Sequence, residues 1–435
     1  MNIEELYGIY LRCGQVTTDS RRCPEGSLFF ALRGATFDGN AYAMQALRAG
    51  CARAVVDDAE AAGQDGRLIL VDDVLSTLQQ LAAHHRRTWG GPVLQVTGTN
   101  GKTTTKELLH AVLSRGRRVL CTEGNLNNHI GVPLTLLRIR AGEHDMAVVE
   151  TGANHPGEIA ALCRMVQADW GIVTNVGRAH LEGFGGFEGV KRTKGELYDD
   201  LRRRGGRVLV NGEDDVLVQM LLSRGFVLGR DALPYIEARV TAAAPFLAIE
   251  WRDGASQSWH SVGTALVGAY NLGNLRAAIT AGLCFGIAPA EIDEALASYR
   301  PTNSRSELRQ AGSNRLIVDA YNANPSSMEA ALANFAALGA DGHKMVILGD
   351  MRELGEESLE EHRRVVRQLQ KMSLERTWLV GEEFGKVAPA GMCVFSDVDA
   401  VKAALRKDIP RHATILVKGS NGTKLWQLPD FIASL

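Results

Sequence analysis

No uninterrupted apolar run in this sequence approaches the ~20 residues that a membrane-spanning helix needs, and Glu4 and Glu5 stand where a secretory leader would be basic. Neither membrane insertion nor export is expected. Cysteine is sparse and scattered: Cys13, Cys23, Cys51, Cys121, Cys163, Cys284 and Cys393 form no C-x-x-C pair and no zinc-ligand spacing. That argues against a disulfide framework or a structural zinc, and for a reducing, cytoplasmic setting. An excess of one charge is missing as well. Forty-eight Lys and Arg against 50 Asp and Glu leave a net charge of -2, and the clusters Arg202-Arg203-Arg204 and Arg115/Arg117/Arg118 read as solvated helix ends. No footprint for nucleic acid or an anionic membrane is expected. What remains is a soluble globular composition, 45% hydrophobic and 23% charged, over 435 residues. A chain of that length is expected to divide into about three domains.

The most informative stretch is Val93-Leu94-Gln95-Val96-Thr97-Gly98-Thr99-Asn100-Gly101-Lys102-Thr103-Thr104-Thr105, an apolar strand running through a glycine turn into a helix. Gly98 and Gly101 let backbone N–H groups curl toward phosphate oxygens, and the helix after them presents its positive end. Lys102 adds a charge, and the Thr103 hydroxyl is suited to Mg²⁺. Only Thr99 and Asn100 separate the two glycines, where the usual P-loop has four residues, so this is a shortened variant.

Around it, apolar strands alternate with helical patterns. Residues 1–88 read as a small N-terminal α/β domain, closed by the Trp89-Gly90-Gly91-Pro92 turn. Residues 89–300 carry strands at Val93-Thr97, Arg118-Cys121, Met146-Thr151, Gly171-Val176 and Arg207-Asn211, with an antiparallel excursion at 225–267. That predicts a P-loop-type parallel sheet covered on both faces. Residues 301–435 restart the rhythm with strands at Arg315-Ala320, Lys344-Gly349, Thr377-Gly381 and Thr414-Lys418, a doubly wound, Rossmann-like domain. Ligands are expected between the domains, beyond the carboxyl ends of the strands.

Glu150 ends an apolar strand near the phosphate loop, where a carboxylate can hold Mg²⁺ or simply face solvent. Asn175 and His180 come after the next strand, and His180 is suited to a second metal ligand. Lys194 reads, by itself, as a surface lysine. The run Asn125-Leu126-Asn127-Asn128-His129 offers amides suited to a polar ligand or to folding a turn, with the turn favoured.

These residues together resemble the Mur ligases, ATP-dependent amide-forming enzymes of bacterial cell-wall precursor synthesis. The resemblance covers nearly the whole chain. It rests on Asp19-Ser20-Arg21 and Gly26 to Gly34, on Gly98 to Thr103, on Asn125 to Asn128 with Gly131 to Thr135, and on Glu150 to Ile159. It continues through Ala179-His180-Leu181-Glu182, Lys194-Gly195-Glu196, Asn271 to Asn274, Asp319 to Pro325 and Leu348 to Gly355. It implies ATP and Mg²⁺ as cofactors, with Gly98, Thr99, Asn100, Gly101, Lys102, Thr103, Thr104, Asn271, Asn274, Arg305 and Asp319 binding ATP. By the same resemblance Thr103, Glu150, His180 and Lys194 hold metal, Lys194 as a carbamate, while Lys102, His180 and Lys194 act in catalysis. Ser20, Arg21, Asn127 and Asn128 are implied to hold the UDP-linked precursor, and Tyr321, Asn322 and Asn324 the amine substrate.

Three departures stand out: Tyr270 where a histidine is common, Thr151 where a methionine is usual, and Ser420-Asn421-Gly422-Thr423-Lys424 where serine-arginine is more frequent. The first two are expected to change packing only. The activity implied is the joining of D-alanyl-D-alanine to UDP-N-acetylmuramoyl-tripeptide through an acyl phosphate, by a monomer whose C-terminal domain hinges near 299–304. Two other readings stay open: a ligase adding the third amino acid to UDP-N-acetylmuramoyl-dipeptide, and a catalytically silent nucleotide-binding relative.

Overall fold

The computed structural model describes residues 1–63, 65–301, 307–338 and 343–435. Arg305 and part of the expected hinge lie outside them. Four sheets organise the described residues. The first joins β1 (Val16–Thr17), β2 (Leu28–Phe30), β3 (Arg53–Val56) and β4 (Leu68–Leu70), in that order and all parallel. Its last helix, Val74–Trp89, is capped by Asp73 and stopped by Gly90 at φ 69°. The buried Arg86 of that helix donates to the carbonyls of Val166 and Gln167 and pairs with Asp169 at 2.9 Å, which ties the N-terminal part to the central part of the chain.

The second sheet holds β5 (Val93–Thr97), β6 (Val119–Cys121), β7 (Met146–Glu150), β8 (Trp170–Val173), β9 (Arg207–Val210) and β10 (Ala232–Pro234), ordered β10-β9-β8-β5-β7-β6. All its pairings are parallel. Every residue of β5 and β7 is buried, which is why both read as continuous apolar runs. The chain leaves β5 toward β7 and β6 but leaves β8 toward β9 and β10. The crevice between the carboxyl ends of β5 and β8 is therefore a topological switch point.

The expected antiparallel excursion is narrower than 225–267. β10 joins the parallel sheet, and only β11 (Ala238–Ala242), β12 (Ala248–Arg252) and β13 (Trp259–Gly263) pair antiparallel. The inward side of β12, with Ile249 and Trp251, packs with Leu275 and Ile279 of the helix Leu272–Cys284.

The last sheet is ordered β14-β15-β19-β16-β17-β18, from β14 (Glu307–Ala311), β15 (Asn314–Asp319), β16 (His343–Gly349), β17 (Arg376–Val380), β18 (Cys393–Phe395) and β19 (Ala413–Lys418). It is parallel except for β14, which returns against β15 through a turn at Gly312, φ 59°. β14 reads Glu-Leu-Arg-Gln-Ala because an edge strand needs little apolar surface, and so no apolar run announced it. The α/β class and three-part layout agree with the sequence reading. Among the described residues no helix is long and apolar enough to cross a membrane.

Candidate active site

The loop after β5 is fixed from behind by the loop after β8. Gly98 has φ 143°, and a Cβ there would stand 2.0 Å from Thr174 Oγ1; Gly101 has φ 78°, and a Cβ would meet Asn274 Oδ1 at 2.6 Å. Only glycine satisfies both the backbone angle and the space. Thr174 Oγ1 donates to the Asn100 carbonyl at 2.6 Å, and the Asn175 amide both donates to that carbonyl and accepts from the Asn100 N–H, each at 3.0 Å. Lys102 Nζ folds back onto the carbonyls of Gly98 and Thr99 at 2.9 and 3.0 Å. The helix Lys102–Leu113 begins at this point, so the N–H groups of its first turn face the same space.

Glu150, at the end of β7, is 1% exposed. Its Oε1 accepts from Asn127 Nδ2 at 2.8 Å, while Oε2 is buried without a hydrogen-bond partner. A buried carboxylate oxygen lacking a donor suits a divalent cation, so the residues fit Mg²⁺. Among the described residues no group of three His, Cys, Asp or Glu forms a self-sufficient metal cage. Asn128 Oδ1 accepts from the N–H groups of Ile130 and Gly131, so this asparagine folds its turn while also facing the cavity.

His180 lines the cavity in a left-handed conformation, φ 51°, with its Nδ1 against the Glu353 carboxylate. Burial lowers its pKa, and Glu353 opposes that shift. Lys194 does not line the cavity. It is buried within the helix Phe187–Arg204, its Nζ 5.3 Å from the Phe184 ring, so it is no surface lysine. Burial, helped by the charge of Lys102, brings its pKa down to about 7.

The cavity, about 680 Å³, brings together Thr99 to Thr104, Asn127, Asn128, Glu150, His180, Asn271, Asn274, Asp319, Tyr321, Asn322 and Asn324. Ser20 and Arg21 are not among these. Arg21 pairs with Asp19 at 2.8 Å, beside a separate cleft lined by Thr17, Asp19, Arg22, Leu126 and Arg138. Asn324 has both ends of its amide engaged: Oδ1 accepts from the Ser327 N–H at 2.9 Å, capping the helix Pro325–Ala337, and Nδ2 donates to Asn100 Oδ1 at 2.8 Å. Tyr270 is a correction. It lines the cavity, 38% exposed, where a packing role was expected. Thr151 is buried and its hydroxyl accepts from Gln95 Nε2 at 3.0 Å, a local packing role.

The sequence reading missed Lys418, on the cavity wall, which donates to Asp319 Oδ2 at 2.5 Å. It also missed Arg178, whose guanidinium lies 3.3 Å from Glu361 and 3.8 Å from Glu329, and whose backbone N–H donates to Ser326 Oγ at 2.9 Å. Neither has a local signal, because each partner lies far away in sequence.

A phosphate loop at a switch point, faced across a cavity by the carboxyl edge of a second doubly wound sheet, defines a nucleotide-binding α/β protein that can bring another substrate to a triphosphate. The family models described as Mur ligase family, catalytic domain, Mur ligase middle domain, and Mur ligase, glutamate ligase domain match residues 13–86, 96–282 and 304–421. The chain belongs to the Mur ligase family. The UDP-N-acetylmuramoyl-tripeptide--D-alanyl-D-alanine ligase of Bacillus subtilis (strain 168) is 33% identical over 431 residues, 96% of this chain and 93% of that protein. A crystal structure of MurF from Acinetobacter baumannii superposes with a TM-score of 0.86 at 30% identity, covering 97% of this chain and 93% of that one. The MurF ligase of Thermotoga maritima in complex with ADP gives a TM-score of 0.81 at 26% identity, covering 97% of each chain.

Proposed function

We propose that this chain is an ADP-forming ligase that joins D-alanyl-D-alanine to UDP-N-acetylmuramoyl-tripeptide in peptidoglycan precursor synthesis, acting in the cytoplasm as a monomer. The observation that carries the reading is the single cavity in which the phosphate loop, Glu150 and His180 face Asp319, Tyr321 and Asn322.

The tripeptide carboxylate attacks the γ-phosphorus of ATP, releasing ADP and forming an acyl phosphate. The dipeptide amine then attacks the acyl carbon, phosphate leaves, and a proton is lost from nitrogen. Bound Mg²⁺ supplies charge neutralisation between the carboxylate and the triphosphate. Thr103, Glu150 and His180 are the residues that would hold it, with Lys194 contributing an oxygen once N-carboxylated. Lys102 exchanges its loop carbonyls for phosphate oxygens, and the helix N-terminus stabilises charge that develops on them. Asn127 orients Glu150, and Asn175 keeps the loop in register for the nucleotide. Asn271 and Asn274 are assigned to the adenine side. Ser20 and Arg21, beside their own cleft, are assigned to the UDP end of the precursor.

The alternative ligase, which adds the third residue, must clamp a diamino acid, and with diaminopimelate also its distal carboxylate. No arginine stands between Asp319 and Pro325 for that purpose. Incubation with Mg-ATP, the UDP-linked tripeptide and a panel of amines, with mass analysis of the product, tests the proposal. The expected product contains D-alanyl-D-alanine with one phosphate released per amide. Addition of a lone diamino acid to the UDP-linked dipeptide, with D-alanyl-D-alanine inert, would overturn it.

A further inference from the structure

A lysine side chain 1% exposed is unusual enough to need a reason, and Lys418 has one within reach. It ends β19, next to the end of β15, on the carboxyl edge of the C-terminal sheet. Its Nζ donates to Asp319 Oδ2 at 2.5 Å and to the Asn322 carbonyl at 3.2 Å, using two of its three N–H bonds. It also lines the cavity. Stability is a poor explanation for the pair, since well-packed apolar residues commonly replace a buried ion pair without loss.

The charges around the cavity supply a better one. Among the described lining residues the cationic or ionisable nitrogen groups are Lys102, His129, His180 and Lys418, and the first three lie in the central part of the chain. On the C-terminal wall Tyr321, Asn322, Asn324 and Ser326 are neutral, and Asp319 is anionic. A dipeptide that enters from this side brings a carboxylate toward a triphosphate, Glu150 and Asp319, and a carboxylate in that surrounding needs a positive partner.

We propose that Lys418 receives the carboxylate of the incoming dipeptide and so selects amine substrates that end in a free acid. Asp319 and the Asn322 carbonyl hold the ammonium in place, leaving its third N–H for the ligand. The assignment rests on the functional reading above, and it goes further by naming the group that reads the substrate's charge.

The test compares D-alanyl-D-alanine with D-alanyl-D-alaninamide, which lacks the negative charge, as substrates of the wild type, Lys418→Met and Lys418→Arg, with Mg-ATP and the UDP-linked tripeptide. Methionine leaves Asp319 without its partner, so the KM for ATP will shift too. The ratio of kcat/KM for acid over amide cancels that general damage. The wild type should prefer the acid by about tenfold to a hundredfold, the range expected of a charge-assisted hydrogen bond. Lys418→Met should bring the ratio close to one, and Lys418→Arg should retain most of it. An unchanged ratio in Lys418→Met, with only the KM for ATP raised, would show that the lysine merely supports Asp319 and would overturn the proposal. Equal use of acid and amide by the wild type would overturn it too, whatever the variants do. Should Lys418→Met lack a cooperative unfolding transition, Lys418→Gln is carried through the same comparison and decides on the same ratio. A wild type that joins neither compound fails the functional reading instead, so the two failures remain distinct.

Discussion

Lys102 and Lys194 are held in opposite ways, and substitution should separate them. Lys102 is partly exposed and rests on two carbonyls of its own loop, so it adds little to the core. Lys102→Ala should therefore unfold at nearly the wild-type temperature while ADP formation falls by at least about a thousandfold, the scale of lost phosphate-charge stabilisation. Near-normal ADP formation by the folded variant would remove the phosphate-loop assignment. Lys194 is buried, with its pKa brought from 10.5 to about 7. Between those values the folded chain holds the neutral amine while the unfolded chain binds a proton, so this group adds to stability as pH rises across that window. The neutral amine is also the form that reacts with CO₂, releasing a proton as the carbamate forms. Stimulation by bicarbonate should be strong above about pH 7 and fade as the amine protonates below it. Lys194→Ala should lose most activity and regain part of it with formate or acetate, small carboxylates able to enter the space left behind. Full activity of that variant without additive would exclude the carbamate role.

The strand-loop-helix element at 93–113 is the most legible part of the chain, because an apolar run, two glycines and an amphipathic helix are all local signals. What the sequence does not carry is how the loop is held. Asn175 is 75 residues from Asn100, and Lys418 is 99 residues from Asp319, so pairing across neighbouring strands is invisible until the strand order is known. Resemblance rather than periodicity gives Lys194 a role, and only burial explains its chemistry. Tyr270 departs from expectation because a helix start gives no sign of which side faces a cavity. Asn324 has two structural duties, its helix cap and its bond to Asn100, beside the substrate contact that the resemblance implies. Among the glycines the structure makes a firm demand at Gly101. Gly101→Ala would force a left-handed alanine 2.6 Å from Asn274 Oδ1, and about 1–3 kcal/mol of backbone strain should displace the loop. Binding of ADP, measured by calorimetry, should weaken by about tenfold or more, whereas wild-type affinity would show that the loop tolerates the shift.

At the scale of the molecule, the polar contacts between the C-terminal and central parts include Asn324 with Asn100, Glu353 with His180, and Arg178 with Glu361, Glu329 and Ser326. Ion pairs with a partner in solvent contribute about 0–1 kcal/mol each, so these pairs offer little resistance to opening and closing with substrate. Opening matters chemically, because an acyl phosphate that meets water is hydrolysed before the amine arrives. The Arg178 side chain carries two of these contacts, its backbone N–H keeps the Ser326 bond in any variant, and Glu361 opposite it is only 5% exposed, which makes this the most buried of the ion pairs. Arg178→Ala should leave ADP binding nearly unchanged, since no atom of the phosphate loop is lost. It should instead release phosphate faster than it forms amide, raising the phosphate-to-product ratio well above the one-to-one expected of the wild type. The ratio should fall again at saturating D-alanyl-D-alanine, when the amine intercepts the acyl phosphate before water does. Paired measurement of phosphate and amide over a range of dipeptide concentration decides the matter: a one-to-one ratio at every concentration would mean that closure does not depend on this contact.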